Sequence, residues 1–348
     1  MQENLLKLPK NSFNAIRLLC CLIVIFGHCL DLSGITRTIF WRSLIDMHTC
    51  VCVFFILSGF FVTYSYIKNS DKETLIQFYK KRAKRILPAY YIAVGFCAVS
   101  FFFFSGLSAK EYFLSSQFWK YLFWNSILLN FMCNCPVPAI NGGGYDCIVP
   151  VNGALWTIKI EVAFYLVLPL VIYWLKKCKT KKGQNILLIA FYLMSIFWNE
   201  AFLFLGTKLG SSFIKDLAHQ FPGFVSYFAC GMFYVLNYEL LRKNENKIII
   251  PAILIFALHY ITKTEFLMPA ALTVIVMYIG FKFTIFSEIG KVDYSYGMYL
   301  FHFPIIQMCV MLGFFKQMPA VIILMITASS FLLSYLTIIL DKKISKRN

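Results

Sequence analysis

The fold class is decided by Asn14-Ala-Ile-Arg-Leu-Leu-Cys-Cys-Leu-Ile-Val-Ile-Phe-Gly-His-Cys-Leu-Asp-Leu32, an apolar run long enough to cross a bilayer. It contains Arg17 and His28, whose spacing of eleven residues returns them to nearly the same face of a helix. The helical rise puts His28 roughly 16 Å from Arg17, near the middle or in the outer half of the hydrocarbon core. A titratable ring at that depth is costly, so we interpret His28 as a candidate functional residue. The alternative is a neutral histidine that hydrogen-bonds between helices.

The composition extends this interpretation to the whole chain. Of its 348 residues, 59% are hydrophobic and only 14% are charged, and the apolar runs are long and unbroken. This pattern predicts an all-α, polytopic transmembrane helix bundle that forms one integral-membrane domain over residues 1–348. The net charge of +17 comes from short basic clusters between apolar runs, which are typical of membrane topology. We therefore expect a lipid bilayer as partner and no nucleic acid.

About ten spans are predicted from the apolar runs. Their approximate bounds are 14–33, 45–67, 87–105, 154–175, 185–205, 221–241, 248–262, 266–285, 293–314 and 319–340. With a cytoplasmic N-terminus, most of the 33 lysines and arginines lie on the inner side, which predicts that both termini are cytoplasmic. The apolar segment Trp119 to Met132 is too short to cross and is interpreted as re-entrant or interfacial on the outer side.

A basic cluster precedes the third predicted span. Within it, Arg82 and Arg85 are three residues apart, so on a helix they point the same way and could grip a phosphate or pyrophosphate together. The alternative is that the cluster is only a strong positive-inside anchor, in which neighbouring cations are interchangeable.

The fourth predicted span contains Glu161, which lies roughly 22 Å from the inner Lys176 and at a depth that His28 could share. A buried carboxylate needs a proton or a partner, and we expect Lys159, His28 or an arginine in that role. A structural ion pair and a catalytic role both fit this position.

The ninth predicted span contains Ser295, Tyr299 and His302 at helical steps of four and three residues, so the three side chains share one stripe. His302 falls near mid-membrane. It is either a further functional group or a packed histidine at the kink that Pro304 introduces.

The polar loop between residues 133 and 151 contains Cys133, Cys135 and Cys147. Three clustered cysteines suit a disulfide in an oxidising compartment or a metal site. We favour a disulfide, because zinc would need a fourth ligand that the sequence does not offer. No metal is expected to take part in the function.

The chain as a whole resembles the acyltransferase-3 family of integral membrane acyltransferases. The resemblance rests on five features in their order along the chain: Arg17 with His28, the Phe54-Phe-Ile-Leu-Ser-Gly-Phe60 run, Arg82-x-x-Arg85 before Leu87-Pro88, the segment from Leu155-Trp156 to Glu161 and Tyr165, and Ser295-Tyr296 to His302-x-Pro304. Each motif is degenerate alone, and their combination over nearly the whole chain is fairly specific.

The resemblance implies an enzyme that takes an acyl group, usually acetyl, from cytoplasmic acyl-CoA and transfers it to a hydroxyl of a sugar in a surface polysaccharide or lipid-linked glycan precursor. It implies that His28 is catalytic and that Arg17, Arg82 and Arg85 serve the donor. Acyl-CoA is then a co-substrate, and no resident cofactor is expected. The expected location is a bacterial-type inner or plasma membrane.

In the resulting hypothesis, the phosphates of acyl-CoA bind Arg82 and Arg85, and the pantetheine arm extends toward His28. His28 acts as a general base toward the acceptor hydroxyl or carries the acyl group itself. Glu161 is its expected catalytic partner. Donor or acceptor contacts are expected from Trp156, Tyr165, Ser295, Tyr299 and His302.

The alternative function is a proton-coupled transporter or flippase, which buried Glu161, Lys159 and His28 would also suit. Against it, the sequence shows no matched pair of Gly/Pro-interrupted helices in two halves.

Overall fold

The computed structural model describes residues 8–35, 46–137, 150–262, 264–289 and 292–345, with the backbone alone for 341–345. Within these ranges the chain is helical and contains no strand, which confirms the predicted all-α class. In chain order, the α-helices are α1 (Phe13–Ser33), α2 (Met47–Asn69), α3 (Leu75–Ser100), α4 (Ala109–Phe113), α5 (Ser116–Ser126), α6 (Trp156–Lys177), α7 (Lys181–Lys208), α8 (Ser212–Ala218), α9 (Phe221–Leu236), α10 (Tyr238–Lys243), α11 (Glu245–Thr262), α12 (Met268–Lys282), α13 (Ser295–Met311) and α14 (Pro319–Ser345). Short 3₁₀ helices cover Phe101–Phe104, Asn130–Met132, Gly153–Leu155, Thr284–Glu288 and Phe314–Lys316.

Seven helical segments of the described residues are long and apolar enough to cross a membrane, which confirms a multi-pass protein. They are Phe13–Ser33, Met47–Asn69, Leu75–Phe104, Gly153–Lys177, Lys181–Lys208, Glu245–Thr262 and Pro319–Leu340. The other three predicted spans correspond to the shorter helices α9, α12 and α13. The count of ten spans and the cytoplasmic position of both termini stay predictions.

Two helices differ in their bounds from the predicted spans. The third span was expected to begin at residue 87, whereas α3 begins at Leu75, so Arg82 and Arg85 lie inside the helix. Hydropathy marks where a helix becomes apolar, and lysine and arginine are good helix formers. The span expected over 221–241 is divided at Asn237, which ends α9 and donates from its side chain to the Phe233 carbonyl at 3.0 Å.

The apolar segment before the cysteine loop forms α5, an eleven-residue helix that is too short to span a bilayer. The predicted loop disulfide is confirmed for Cys135, which is disulfide-bonded. Cys133 has a free thiol whose pKa is raised by burial. Cys147 lies outside the described residues.

The chain divides into two compact units. The first consists of Met1–Arg17, His48–Lys80 and Ile160–Lys291, and the second of Leu18–Met47, Lys81–Lys159 and Val292–Asn348. Each is described by itself below. The expectation of one integral-membrane domain over residues 1–348 stays a prediction.

In the first unit, α2 and α9 approach each other at glycines. A Cβ added at Gly59 would collide with the backbone of Phe228, and one added at Gly231 would collide with the Ile56 carbonyl oxygen. The ring of Phe228 stacks on Phe164, with centroids 4.3 Å apart. Small residues thus allow two membrane helices to pack backbone to backbone.

Replacement of Gly231 by alanine is expected to lower the thermal unfolding temperature in detergent, because backbone atoms of α2 must move to admit the methyl group. Such overpacking costs about 1 to 3 kcal/mol. Gly95→Ala on α3 is the matched control, since a Cβ there has no neighbour within 4 Å. An equal effect of both substitutions on the unfolding temperature would contradict close packing at Gly231.

In the second unit, Pro304 lies inside α13 and removes the hydrogen bond to the Leu300 carbonyl one turn earlier. The side-chain amide of Asn152 donates to this carbonyl at 2.8 Å. Asn152 therefore satisfies the carbonyl that the kink exposes, and both interpretations of His302 stay open. This bond also fixes the segment that begins α6 against α13.

Candidate functional site

The second unit brings two histidines into direct contact. His28 of α1 and His302 of α13 are hydrogen-bonded, with His28 Nδ1 2.8 Å from His302 Nε2. The rings are nearly parallel, with centroids 5.1 Å apart and an angle of 11° between the planes. Two predicted site residues, 274 positions apart in the chain, thus lie next to each other.

The hydrogen bonds assign the tautomers of this pair in its neutral form. His302 Nδ1 is 2.8 Å from the Tyr299 carbonyl oxygen, which can only accept, so Nδ1 of His302 carries the proton. Nε2 of His302 is then the acceptor, and His28 Nδ1 is the donor. The basic nitrogen of neutral His28 is therefore Nε2, on the far side of its ring from His302.

The two rings differ in accessibility. His302 is completely buried, whereas His28 is half-buried. The ring of Phe303 packs edge-on against His28 with centroids 5.1 Å apart. His28 is thus the member of the pair that a substrate could reach, and His302 supports it from behind.

This contact also fits the structural alternative, a histidine that hydrogen-bonds between helices. The two interpretations differ in what Nε2 of His28 does, and the variants described below distinguish them.

Further polar groups of the second unit surround α13 near the histidines. The hydroxyl groups of Tyr299 and Thr157 are 3.1 Å apart, and Thr157 also donates to the Ala154 carbonyl at 3.1 Å. Trp156, the first residue of α6, is half-buried. The start of α6 and the centre of α13 therefore form one polar cluster.

One basic residue of α3, Arg85, contacts Asp293 just before the start of α13. Arg85 Nη2 is 3.6 Å from Asp293 Oδ2, and this arginine is half-exposed. Arg82 is less exposed than Arg85. Ser295, by contrast, is buried, and its hydroxyl donates to Asp293.

Three predicted site residues belong to the first unit. Arg17 donates to Asn14 Oδ1 at 3.1 Å, and its guanidinium lies 5.0 Å from the centre of the Phe61 ring. Glu161 accepts a hydrogen bond from the hydroxyl of Tyr165.

The partner that the structure gives Glu161 is Tyr165, which was not among those expected. Tyr165 is one helical turn further along α6 and faces the same side, whereas Lys159 is two residues away and faces elsewhere. The ammonium of Lys159 lies 4.6 Å from the centre of the Phe131 ring, within the second unit.

Sequence analysis missed Asn152, Thr157 and Asp293. For Asn152 a signal existed, since Pro304 leaves the Leu300 carbonyl without its helical donor and a buried amide is needed nearby. For Asp293 the signal was its position just before a helix, where carboxylates are favourable. Thr157 had no signal beyond its place between Trp156 and Glu161.

Comparison with known proteins gives a consistent result. The model of a family described as an acyltransferase domain matches residues 10–339. An O-acetyl transferase of Shigella phage Sf6 is 24% identical over 323 residues, which cover 88% of this chain and 89% of the relative.

Two further relatives match shorter segments. Nodulation protein 10 of Rhizobium leguminosarum bv. viciae is 28% identical over 172 residues, which cover 47% of this chain and 44% of the relative, so the match spans less than half of that protein. An uncharacterized protein of Haemophilus influenzae is 27% identical over 172 residues, which cover 48% of this chain and 64% of the relative. No solved structure matches.

Proposed function

Because this chain belongs to the acyltransferase-3 family of membrane acyltransferases, we propose that it transfers an acetyl group from cytoplasmic acyl-CoA to a sugar hydroxyl. The acceptor in this proposal is a surface polysaccharide or a lipid-linked glycan precursor, and the location is a bacterial inner membrane. The name of the Shigella phage relative supports acetyl as the group transferred and oxygen as the atom that receives it.

The observation that carries the proposal is the directional hydrogen bonding of the histidine pair. The Tyr299 carbonyl fixes the proton of His302, and His302 in turn fixes the proton of His28 on Nδ1. Nε2 of His28 is thereby oriented as a base, with a buried imidazole as its support. This is the arrangement that general-base catalysis requires, namely a basic nitrogen in a defined tautomer held by a second group.

In the proposed reaction, Nε2 of His28 takes the proton of the acceptor hydroxyl while the oxygen attacks the thioester carbonyl carbon. The carbon–sulfur bond then breaks, and the CoA thiolate takes the proton from the His28 imidazolium. The alternative route transfers the acyl group first to His28 and then to the sugar. Hydroxyl groups such as those of Tyr299 and Thr157 are candidates to stabilise the oxyanion in either route.

The donor is proposed to bind with its phosphates on Arg82 and Arg85 of α3. Arg85 contacts Asp293, which lies nine residues before His302 on the path into α13. That separation corresponds to roughly 13 Å along a helix, a distance that an extended pantetheine arm can bridge. The phosphates would therefore lie near the start of α13 and the reacting thioester near its middle. Arg17, Trp156, Tyr165 and Ser295 stay predicted contacts of donor or acceptor, and Glu161 stays a predicted catalytic partner.

The direct test incubates purified protein in lipid nanodiscs with acetyl-CoA labelled in the acetyl group and a glycan acceptor. We expect release of the CoA thiol together with label bound to the glycan as an alkali-labile ester. Movement of glycan across a vesicle membrane without CoA release would instead support a transporter.

Replacement of His302 is expected to affect turnover in a graded way. His302→Leu removes the acceptor for His28 Nδ1 and should lower kcat by up to roughly a hundredfold, because misorientation of a reacting group carries such a cost. His302→Gln should retain more activity, since its side-chain oxygen can accept the same bond. Equal loss in both variants, measured beside their unfolding temperatures, would indicate that His302 serves packing rather than orientation of the base.

A further inference from the structure

Asp293 connects the two elements to which donor binding and base chemistry are assigned. Its Oδ1 accepts hydrogen bonds from the backbone N–H of Ser295, at 3.2 Å, and from the Ser295 hydroxyl. Ser295 is the first residue of α13. One oxygen of the carboxylate thus satisfies donors at the helix start, where the helix dipole also favours a negative charge.

The other oxygen of the same carboxylate faces Arg85. Oδ2 lies 3.6 Å from Arg85 Nη2, and the side chains of Asp293 and Arg85 are 22% and 52% exposed. An ion pair this accessible to solvent contributes little to the stability of the fold. Its consequence is therefore geometric, because it limits the orientations of a long side chain.

A second contact holds the same two helix segments together. The hydroxyl of Tyr296 donates to the Ile86 carbonyl at 3.0 Å. Ile86 directly follows Arg85, and Tyr296 lies three residues after Asp293. The start of α13 is thus held against the Arg85 region of α3 by this hydrogen bond as well as by the ion pair. The register between the two helices does not depend on Asp293 alone.

A guanidinium has five N–H donors in one plane. A carboxylate beside one nitrogen, here at 3.6 Å, limits the orientations of that plane, and phosphate oxygens suit the same fork of donors. We propose that Asp293 is a positioning residue that holds the guanidinium of Arg85 in the orientation that binds the phosphates of the CoA donor. This inference rests on the proposed function.

The sign of the effect separates orientation from charge. Asp293 is negative, so on Coulomb's law alone its neutralisation would strengthen the binding of a phosphate to Arg85. If Asp293 positions Arg85, the same change weakens binding. Asp293→Asn is the suitable variant, because asparagine still accepts the hydrogen bond at the start of α13 and loses mainly the ion pair.

The test measures the dissociation constant of CoA, and of phosphate-free pantetheine, by competition against labelled acetyl-CoA on the full chain in nanodiscs. Asp293→Asn is expected to weaken CoA binding by roughly threefold to fivefold, the range of partly exposed ion pairs, and to leave pantetheine binding unchanged. In an Arg85→Ala background the same substitution should have no further effect on CoA. Tyr296→Phe, which removes the hydrogen bond to the Ile86 carbonyl, is the matched control and should leave CoA affinity unchanged.

Tighter CoA binding by Asp293→Asn would show that the carboxylate competes with phosphate, and unchanged binding would show that it has no role in donor binding. Equal weakening of CoA and pantetheine would show a general structural effect. Each of these results overturns the inference while leaving the proposed function in place. Failure of the unaltered protein to prefer CoA over pantetheine would instead contradict phosphate recognition and the proposed donor with it.

Discussion

Acyl transfer from labelled acetyl-CoA is expected to fall by about two to four orders of magnitude when His28 is replaced by alanine, the range associated with loss of a general base. The expectation follows from the position of the ring. His28 is the accessible member of the histidine pair, and its Nδ1 proton is committed to His302. Its remaining nitrogen, Nε2, is the group that the proposed reaction uses.

The measurement is the formation of glycan ester and of free CoA thiol by the variant and the unaltered protein at equal amounts in nanodiscs. His259→Ala is the matched control, since it removes another imidazole, one in the first unit and outside the proposed site. The unfolding temperature of both variants shows whether they fold. A folded His28→Ala protein with near-normal ester formation would remove His28 from the mechanism and leave it as a structural histidine between helices.

The covalent route and the direct route predict different results for enzyme that is given the acetyl donor without an acceptor. If His28 carries the acyl group, incubation with labelled acetyl-CoA in the absence of acceptor should leave label on the protein, and His28→Ala should leave none. If the transfer is direct, neither protein becomes labelled. Mass spectrometry of the peptide that contains residues 14–32 measures the difference.

The helices were largely predictable because the membrane imposes a simple rule on the sequence. An apolar run of about 20 residues must be a helix in lipid, and the expected span 319–340 begins at the first residue of α14. The rule has no information about charged residues next to a span. It therefore did not predict the twelve residues by which α3 extends before Leu87, although the shared face assumed for Arg82 and Arg85 requires such a helix.

The candidate site was predictable as a set of residues and not as an arrangement. An imidazole in an apolar run has an unfavourable transfer free energy into lipid, and this identified His28 and His302 separately as candidates. Their contact depends on how α1 and α13 pack, and helical periodicity contains nothing about packing between distant helices. For Glu161, electrostatic reasoning suggested a cation, and the partner that α6 itself supplies is the hydroxyl of Tyr165.

Arg82→Ala is expected to raise the KM for acetyl-CoA by roughly tenfold to a hundredfold, which corresponds to one charge-assisted hydrogen bond to a phosphate. Lys81→Ala should change the KM by less than about twofold, because an exposed lysine that serves as a topology anchor is replaceable by its basic neighbours. The two residues are adjacent on α3 and carry the same charge, so the pair controls for net charge and for position in the membrane. Lys81 is exposed and Arg82 is half-buried.

The effect of Arg82→Ala on KM should depend on whether the acetyl donor carries phosphates. If Arg82 binds phosphate, its replacement by alanine should barely change the KM for acetyl-pantetheine, which has the same thioester and no phosphates. The kcat for acetyl-CoA should change little in the same variant, because a contact made equally in the ground state and the transition state affects binding alone. Equal increases in KM for Arg82→Ala and Lys81→Ala would show that the basic residues of α3 act together as a diffuse positive surface, and the donor phosphates would then have to be assigned to another site.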